Sequence, residues 1–153
     1  MTNDKKAKIY ADCLLKLKGL LEGEQDDIVK MASISSVLHQ AFEQFYWTGF
    51  YRMIDGVLVI GPYQGTPACI RIAVGKGVCG VAAETGETQI VDDVHSFPGH
   101  IACDAASASE IVIPVRNSVD GEMIAVLDID STSQKSFDDI DADHLESIIA
   151  QFF

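Results

Sequence analysis

Near the start of the chain apolar residues return every three or four positions. From about 7 to 21, Ile9, Cys13, Leu17 and Leu20 recur at that step, with Tyr10, Leu14 and Leu21 beside them. This is the period of an amphipathic helix. Lys16 and Lys18 fall off the stripe, and Gly23 supplies a stop. Cys13 sits on the stripe and reads as a small core residue. A second helix is expected over 27–45, with Met31, Ile34, Leu38, Ala41, Phe42 and Phe45 as its apolar face. Asp26 and Asp27 lie where the helix dipole favours negative charge. His39, at the edge of that face, reads as a partly exposed helical histidine.

The period then changes. Segments 47–54 and 57–63 are rich in aromatic and β-branched residues, and Asp55-Gly56 between them is a two-residue hairpin turn. Gly61-Pro62 and Gly65-Thr66-Pro67 break the pairing and start a loop, and a third strand is expected over 69–74. Gly75-Lys76-Gly77-Val78-Cys79-Gly80 opens a short helix, 78–84, which Gly86 ends. The GxxxxGK[ST] phosphate loop is absent, yet amides at a helix start can hold a small anion such as a carboxylate. A short strand follows over 88–91. Residues 92–109 have no period and contain Pro98, Gly99, His95, His100 and a run of Ala and Ser. A loop that long inside a compact domain is functional or disordered, and Phe97 and Ile101 within it argue against simple disorder.

Two strands, 110–116 and 123–130, join through a turn around Val119-Asp120-Gly121. Alternation puts Asp128 and Asp130 on one sheet face and Ile129 on the other. The last helix, 138–153, is capped by Asp138 or Asp141 and carries Leu145, Ile148, Ile149 and Phe152 as its stripe. The sum is an α+β fold in a single domain, 1–153: a central antiparallel sheet, terminal helices on one face, and loops with a pocket on the other.

Composition narrows the function classes. A 48% apolar content fills one core at this length, and a net charge of -12, from 23 acidic against 11 basic residues, repels nucleic-acid backbones. No apolar run is long enough to span a bilayer, and no signal-peptide core follows Met1-Thr2-Asn3-Asp4-Lys5-Lys6. A cytoplasmic protein with no membrane partner is expected. Of the four cysteines, none form a C-x-x-C pair, so neither a structural zinc site nor a thioredoxin-type motif is signalled.

Cys103 lies among small residues in His100-Ile101-Ala102-Cys103-Asp104, an accessible setting for a thiol. Charged Asp104 and Glu110 nearby raise a thiol pKa, whereas His100 offsets them if it makes contact. From the residues alone Cys103 is equally a reactive thiol or an inert loop thiol. Asp128 and Asp130 fall roughly 7 Å apart by the strand repeat, with Glu110 at the start of the preceding strand. Carboxylates clustered in a pocket push one another toward protonation. The pair alone also fits a solvated strand face.

The chain resembles the free methionine-(R)-sulfoxide reductases of the GAF-domain superfamily. The matching segments run from Trp47-Thr48-Gly49-Phe50-Tyr51 and Gly61-Pro62-Tyr63-Gln64-Gly65, through Ala68-Cys69 and Gly75-Lys76-Gly77-Val78-Cys79-Gly80, to Phe97-Pro98-Gly99-His100-Ile101-Ala102-Cys103-Asp104, Ser109-Glu110-Ile111-Val112 and Val126-Leu127-Asp128-Ile129-Asp130-Ser131. They span a catalytic core of 47–131. The resemblance implies Cys103 as the catalytic cysteine, Cys69 as the principal resolving cysteine, and Cys79 as able to join disulfide exchange. It implies Glu110, Asp128 and Asp130 as pocket carboxylates and Trp47 and Tyr51 as an aromatic wall. It further implies free methionine sulfoxide as substrate, no bound cofactor, an external thiol reductant (thioredoxin), and a homodimer. Three other readings compete: a sensory GAF module that binds a small molecule without turnover, a metal site from Cys69, Cys79, Cys103 and His100, and a GAF dimer in which the three cysteines, Trp47 and Tyr51 are core residues. The second fits no standard zinc spacing.

Overall fold

The computed structural model describes residues 1–153. Thr2 starts helix α1 (Asn3–Leu20) by accepting the Lys5 N–H on its hydroxyl. That cap sets the start at Asn3, ahead of the expected position near 7. The buried face runs through Lys6, Tyr10, Cys13 and Leu17, and Leu21 follows it inward. Leu20 instead points out and is 59% exposed, so the core stripe is centred on Tyr10 and excludes Leu20. Asp26 caps α2 (Asp27–Ala41) through the Ile28 and Val29 amides. This helix stops at Ala41, short of the expected Phe45, because Phe42 turns extended. The turn lets the Phe42 and Phe45 rings stack in the core at 4.5 Å.

Strands β1 (Trp47–Ile54) and β2 (Val57–Gln64) form the expected hairpin. Asp55 and Gly56 both have positive φ, 50° and 79°, the primed turn that matches strand twist. Strand β3 is only Arg71–Ala73. It is shorter than the expected 69–74, and Cys69 lies outside it in the preceding loop. Then come α3 (Gly77–Thr85), β4 (Gln89–Val91), β5 (Ser109–Arg116), β6 (Met123–Ser131) and α4 (Asp139–Phe152). Asp138 and Asp141 both cap α4, as a reciprocal capping box.

All pairings in the sheet are antiparallel, in the order β3-β2-β1-β6-β5-β4. Its two faces differ. Phe50, Ile111, Ile113, Leu127 and Ile129 point to the face covered by α1, α2 and α4, in a cluster of 23 buried residues. Trp47, Tyr51, Val112 and Val126 point the other way, to a cluster of 11 under α3 and the loops. Burying one large apolar side chain is worth roughly 1.5–3 kcal/mol, so the helical face carries most of the apolar stabilisation. The smaller face is left to shape a site. A buried polar link ties the ends of the chain together. Lys6 Nζ donates to Asp141 at 2.7 Å and to Asp138 at 3.1 Å, and Tyr10 Oη donates to Asp141 at 2.7 Å. No helix is long and apolar enough to cross a membrane.

Candidate active site

The register of three central strands builds the floor. Trp47 on β1 lies opposite Asp130 on β6, and Asp130 lies opposite Glu110 on β5. Side chains directly opposite on antiparallel strands share a face, so these three form a row. Asp128 belongs to the next row, between Gly49 and Val112, and Ile129 points into the helical face as the alternation predicts. Helix α3 covers this floor and brings Cys79 Sγ to 3.8 Å from Glu110 Oε1.

The aromatic wall depends on a bare backbone. A Cβ on Gly49 would lie 2.8 Å from Trp47 Cη2 and closer still to Tyr63. Glycine therefore lets the indole fold over β1. Trp47 stacks on Tyr63 at 5.2 Å and on Tyr51 at 5.9 Å, and its Nε1 donates to the Thr66 carbonyl at 2.9 Å. The Tyr51 hydroxyl donates to the Cys69 carbonyl at 3.0 Å, which leaves its ring to the cleft.

Two loops form the roof. A disulfide joins Cys69 to Cys103, with Cα atoms 5.3 Å apart. Beside it the Thr66 hydroxyl donates to Asp104 Oδ2 at 2.6 Å, while the Ala106 N–H donates to Asp104 Oδ1 at 2.9 Å. The loop from 92 to 108 is ordered. Asp93 caps a 3-10 turn at Val94–Ser96, the Val94 N–H reaches the Ala108 carbonyl, and the Ala108 N–H reaches that of Ser131. The cleft below the disulfide has a volume of about 40 Å³. It is narrow and suits a small ligand. Trp47, Tyr51, Cys79, Cys103, Glu110, Asp128 and Asp130 all line it.

The floor is electrostatically unfinished. Glu110 and Asp128 are both 6% exposed. Burial first, then the Asp128 and Asp130 charges, push Glu110 well above the usual carboxylate range. Burial raises Asp128 to about 6, while Glu110 and Cys79, donors when protonated, pull against that rise. Asp130 is raised by burial and by Asp128, with the Ser107 hydroxyl opposing. Burial and then the same three acids push the Cys79 thiol well up. Oδ1 of Asp128 is buried and has no hydrogen-bond partner. Asp104 behaves oppositely: its bonds from Thr66 and Ala106 hold it below the usual range, so its charge is absorbed by the loop.

Every site residue that the resemblance implies reaches this cleft. Cys69 arrives through its bond to Cys103, and the pairing implied by the resemblance is present. That bond also removes Cys69 and Cys103 from the metal set formed with His100. His100 lines the cleft beside His95, with ring centroids 6.3 Å apart, and burial then His95 lower its pKa. Thr66 and Ser107 have no role in the sequence reading, and Tyr63 enters it only within a matching segment. Thr66 stood in a Gly-Thr-Pro turn that marked only a break, and Ser107 in a small-residue run carried no signal.

The sequence profile of the GAF domain matches residues 32–152. The chain is 45% identical over 146 residues to the free methionine-R-sulfoxide reductase of Escherichia coli (strain K12), covering 95% of this chain and 87% of that protein. It is 40% identical to the free methionine-R-sulfoxide reductase of Saccharomyces cerevisiae, covering 96% and 85%. The solved free methionine-R-sulfoxide reductase of Neisseria meningitidis, in complex with its substrate, superposes with a TM-score of 0.90 at 40% identity, covering 95% of this chain and 86% of that one. With its redox-paired cysteines closed over an aromatic and acidic cleft, the chain belongs to the GAF-domain family and, within it, to the free methionine-R-sulfoxide reductases.

Proposed function

We propose that this protein reduces free L-methionine (R)-S-oxide to L-methionine, with Cys103 as the attacking thiol and an external thiol as electron donor. The observation that carries the reading is the Cys69–Cys103 disulfide over a cleft whose floor holds three clustered carboxyls. A protein that ends its reaction in a disulfide needs two thiols within bonding reach. A protein that expels a sulfoxide oxygen needs a proton donor beneath it.

The Cys103 thiolate attacks the sulfoxide sulfur while a protonated carboxyl, Glu110 by its raised pKa, donates to the oxygen. The oxygen passes to Cys103 as a sulfenic acid, and methionine leaves as the reduced thioether. Cys69 then attacks the Cys103 sulfur, water departs, and the disulfide closes. Two external thiols reduce it by exchange and become a disulfide themselves. Cys79 is the poorer resolving thiol, because burial beside acids keeps it protonated.

Substrate recognition follows the charges. The free Oδ1 of Asp128 suits the substrate ammonium. The first amides of α3, where Lys76 offers no side-chain cap, suit its carboxylate. The Trp47 and Tyr51 faces suit the methyl-sulfur end, where positive charge develops. Gripping both backbone charges excludes a peptide-bound residue. Thioredoxin is the reductant this reading expects, in a cytoplasmic homodimer.

Reduced protein incubated with thiol and each epimer of free methionine sulfoxide, and with a peptide-bound form, tests the proposal. Methionine is expected from the free (R)-epimer only, and Cys103→Ser abolishes it. Equal yield from all substrates sinks the assignment. Binding with no thiol consumed identifies the sensory module instead.

A further inference from the structure

We infer that Cys79, Glu110 and Asp128 form a site for a borderline divalent cation such as Zn²⁺ on the cleft floor. One thiol sulfur and one oxygen from each carboxyl lie within 4.8 Å of one another, and all three residues are buried. Cys79 Sγ and Glu110 Oε1 are 3.8 Å apart. Zinc bonds of about 2.3 Å to sulfur and about 2.0–2.2 Å to oxygen span nearly that distance across a tetrahedral angle. An independent observation points to a missing ligand: Oδ1 of Asp128 is buried with no partner, on a residue that lines the cleft. A buried acceptor of this kind wants a donor or a cation. No lysine or arginine forms an ion pair with any of the three.

The three ligands come from α3, β5 and β6, so linear spacing hides the site and a packed scaffold fixes it. Cys79 is outside the disulfide, so the site exists in the oxidised protein. A thiolate among the ligands selects zinc-like ions over magnesium or calcium. Three protein ligands leave a fourth position open to the cleft. The thiol proton, and the proton that Glu110 holds, leave to solvent as the cation binds. That the cation also inhibits turnover, by occupying the place of the substrate ammonium, rests on the reductase reading above.

Cobalt(II) is the probe, because a cobalt–thiolate bond absorbs in the near ultraviolet. Full-length protein with the Cys69–Cys103 disulfide intact is titrated without reductant. One equivalent of cobalt is expected to give the charge-transfer band, and Zn²⁺ to abolish it. Cys79→Ser loses the band. Asp128→Asn, which keeps the thiol, requires at least about ten times more cobalt to develop it. No band in folded wild-type protein, or an undiminished band in either folded variant, overturns the site. Turnover is measured separately in chelator-treated protein. Its absence there counts against the reductase reading and leaves the cobalt result standing.

Discussion

Asp141 on α4 and Asp128 on β6 are buried to nearly the same degree, 0% and 6% exposed. Asp141 accepts from Lys6 Nζ, from the Tyr10 hydroxyl and from the Asp138 N–H at 2.7, 2.7 and 2.9 Å. One ammonium answers its charge and the neighbouring donors take up its oxygens. Asp128 faces Glu110, Asp130 and Cys79, and its Oδ1 has no donor. A buried charge is tolerated when it is paired and costly when it is not. The first carboxylate is complete and serves to tie α1 to α4. The second has no positive group beside it and is left to protonation of the cluster or to a cation from the cleft.

The contrast is sharpest in activity. Asp128→Asn is expected to lower kcat/KM for the free (R)-sulfoxide by about 2–5 kcal/mol, roughly 30- to 5,000-fold, with no loss of stability. Steady-state kinetics beside a urea melt read both quantities. An Asp128→Asn protein that keeps its activity and melts early breaks the comparison. Asp141→Leu is the converse. It leaves Lys6 only the half-exposed Asp138 and costs about 3–5 kcal/mol in urea unfolding, with kcat/KM of the folded protein unchanged. Adding Lys6→Met recovers most of that, short of about 1–3 kcal/mol for the Tyr10 hydroxyl left without its acceptor.

The smallest of these effects is in pH dependence. Folding raises the pocket carboxyls, Asp128 from 3.8 to about 6. A carboxyl raised by folding favours the folded state when protonated. Its contribution is full below the ordinary carboxylate value and is lost as pH rises through the folded one. Ligand-free stability should therefore decline across that window, and Asp128→Asn should flatten the decline. Lys6 has the alkaline counterpart. Its pKa is raised: burial acts to lower it, and the bonds and charges of Asp141 and Asp138 outweigh that. Its contribution is present below 10.5 and is lost only as pH rises through the folded value. Urea melts from acid to alkaline pH check both signs.

Periodicity made the elements legible wherever one face of the element is buried. The Asp55-Gly56 hairpin, the shared face of Asp128 and Asp130, and the approach of Glu110 all follow from alternation and turn chemistry. Leu20 was misplaced because Leu20 and Leu21 fit a helical repeat equally well, and only packing against α2 and α4 decides between them. The end of α2 was missed because Phe42 continues the apolar period while its backbone turns extended. Local pattern cannot carry contacts across distant segments. Lys6 meets Asp141 across 135 positions, Thr66 meets Asp104 across 38, and Cys79 meets Glu110 across 31. Asp141 was legible as a cap but not as the partner of a buried lysine. The Cys69–Cys103 pairing came from family likeness, because ten and twenty-four positions between cysteines fix no partner by themselves.

A single turnover tests the central claim most directly. Fully reduced protein, free of other thiols, is mixed with one equivalent of free L-methionine (R)-S-oxide, quenched by alkylation and mapped by mass. The expected result is one methionine per protein, a Cys69–Cys103 disulfide, and Cys79 alkylated as a free thiol. No methionine, or methionine formed while Cys103 remains alkylatable, would contradict the account.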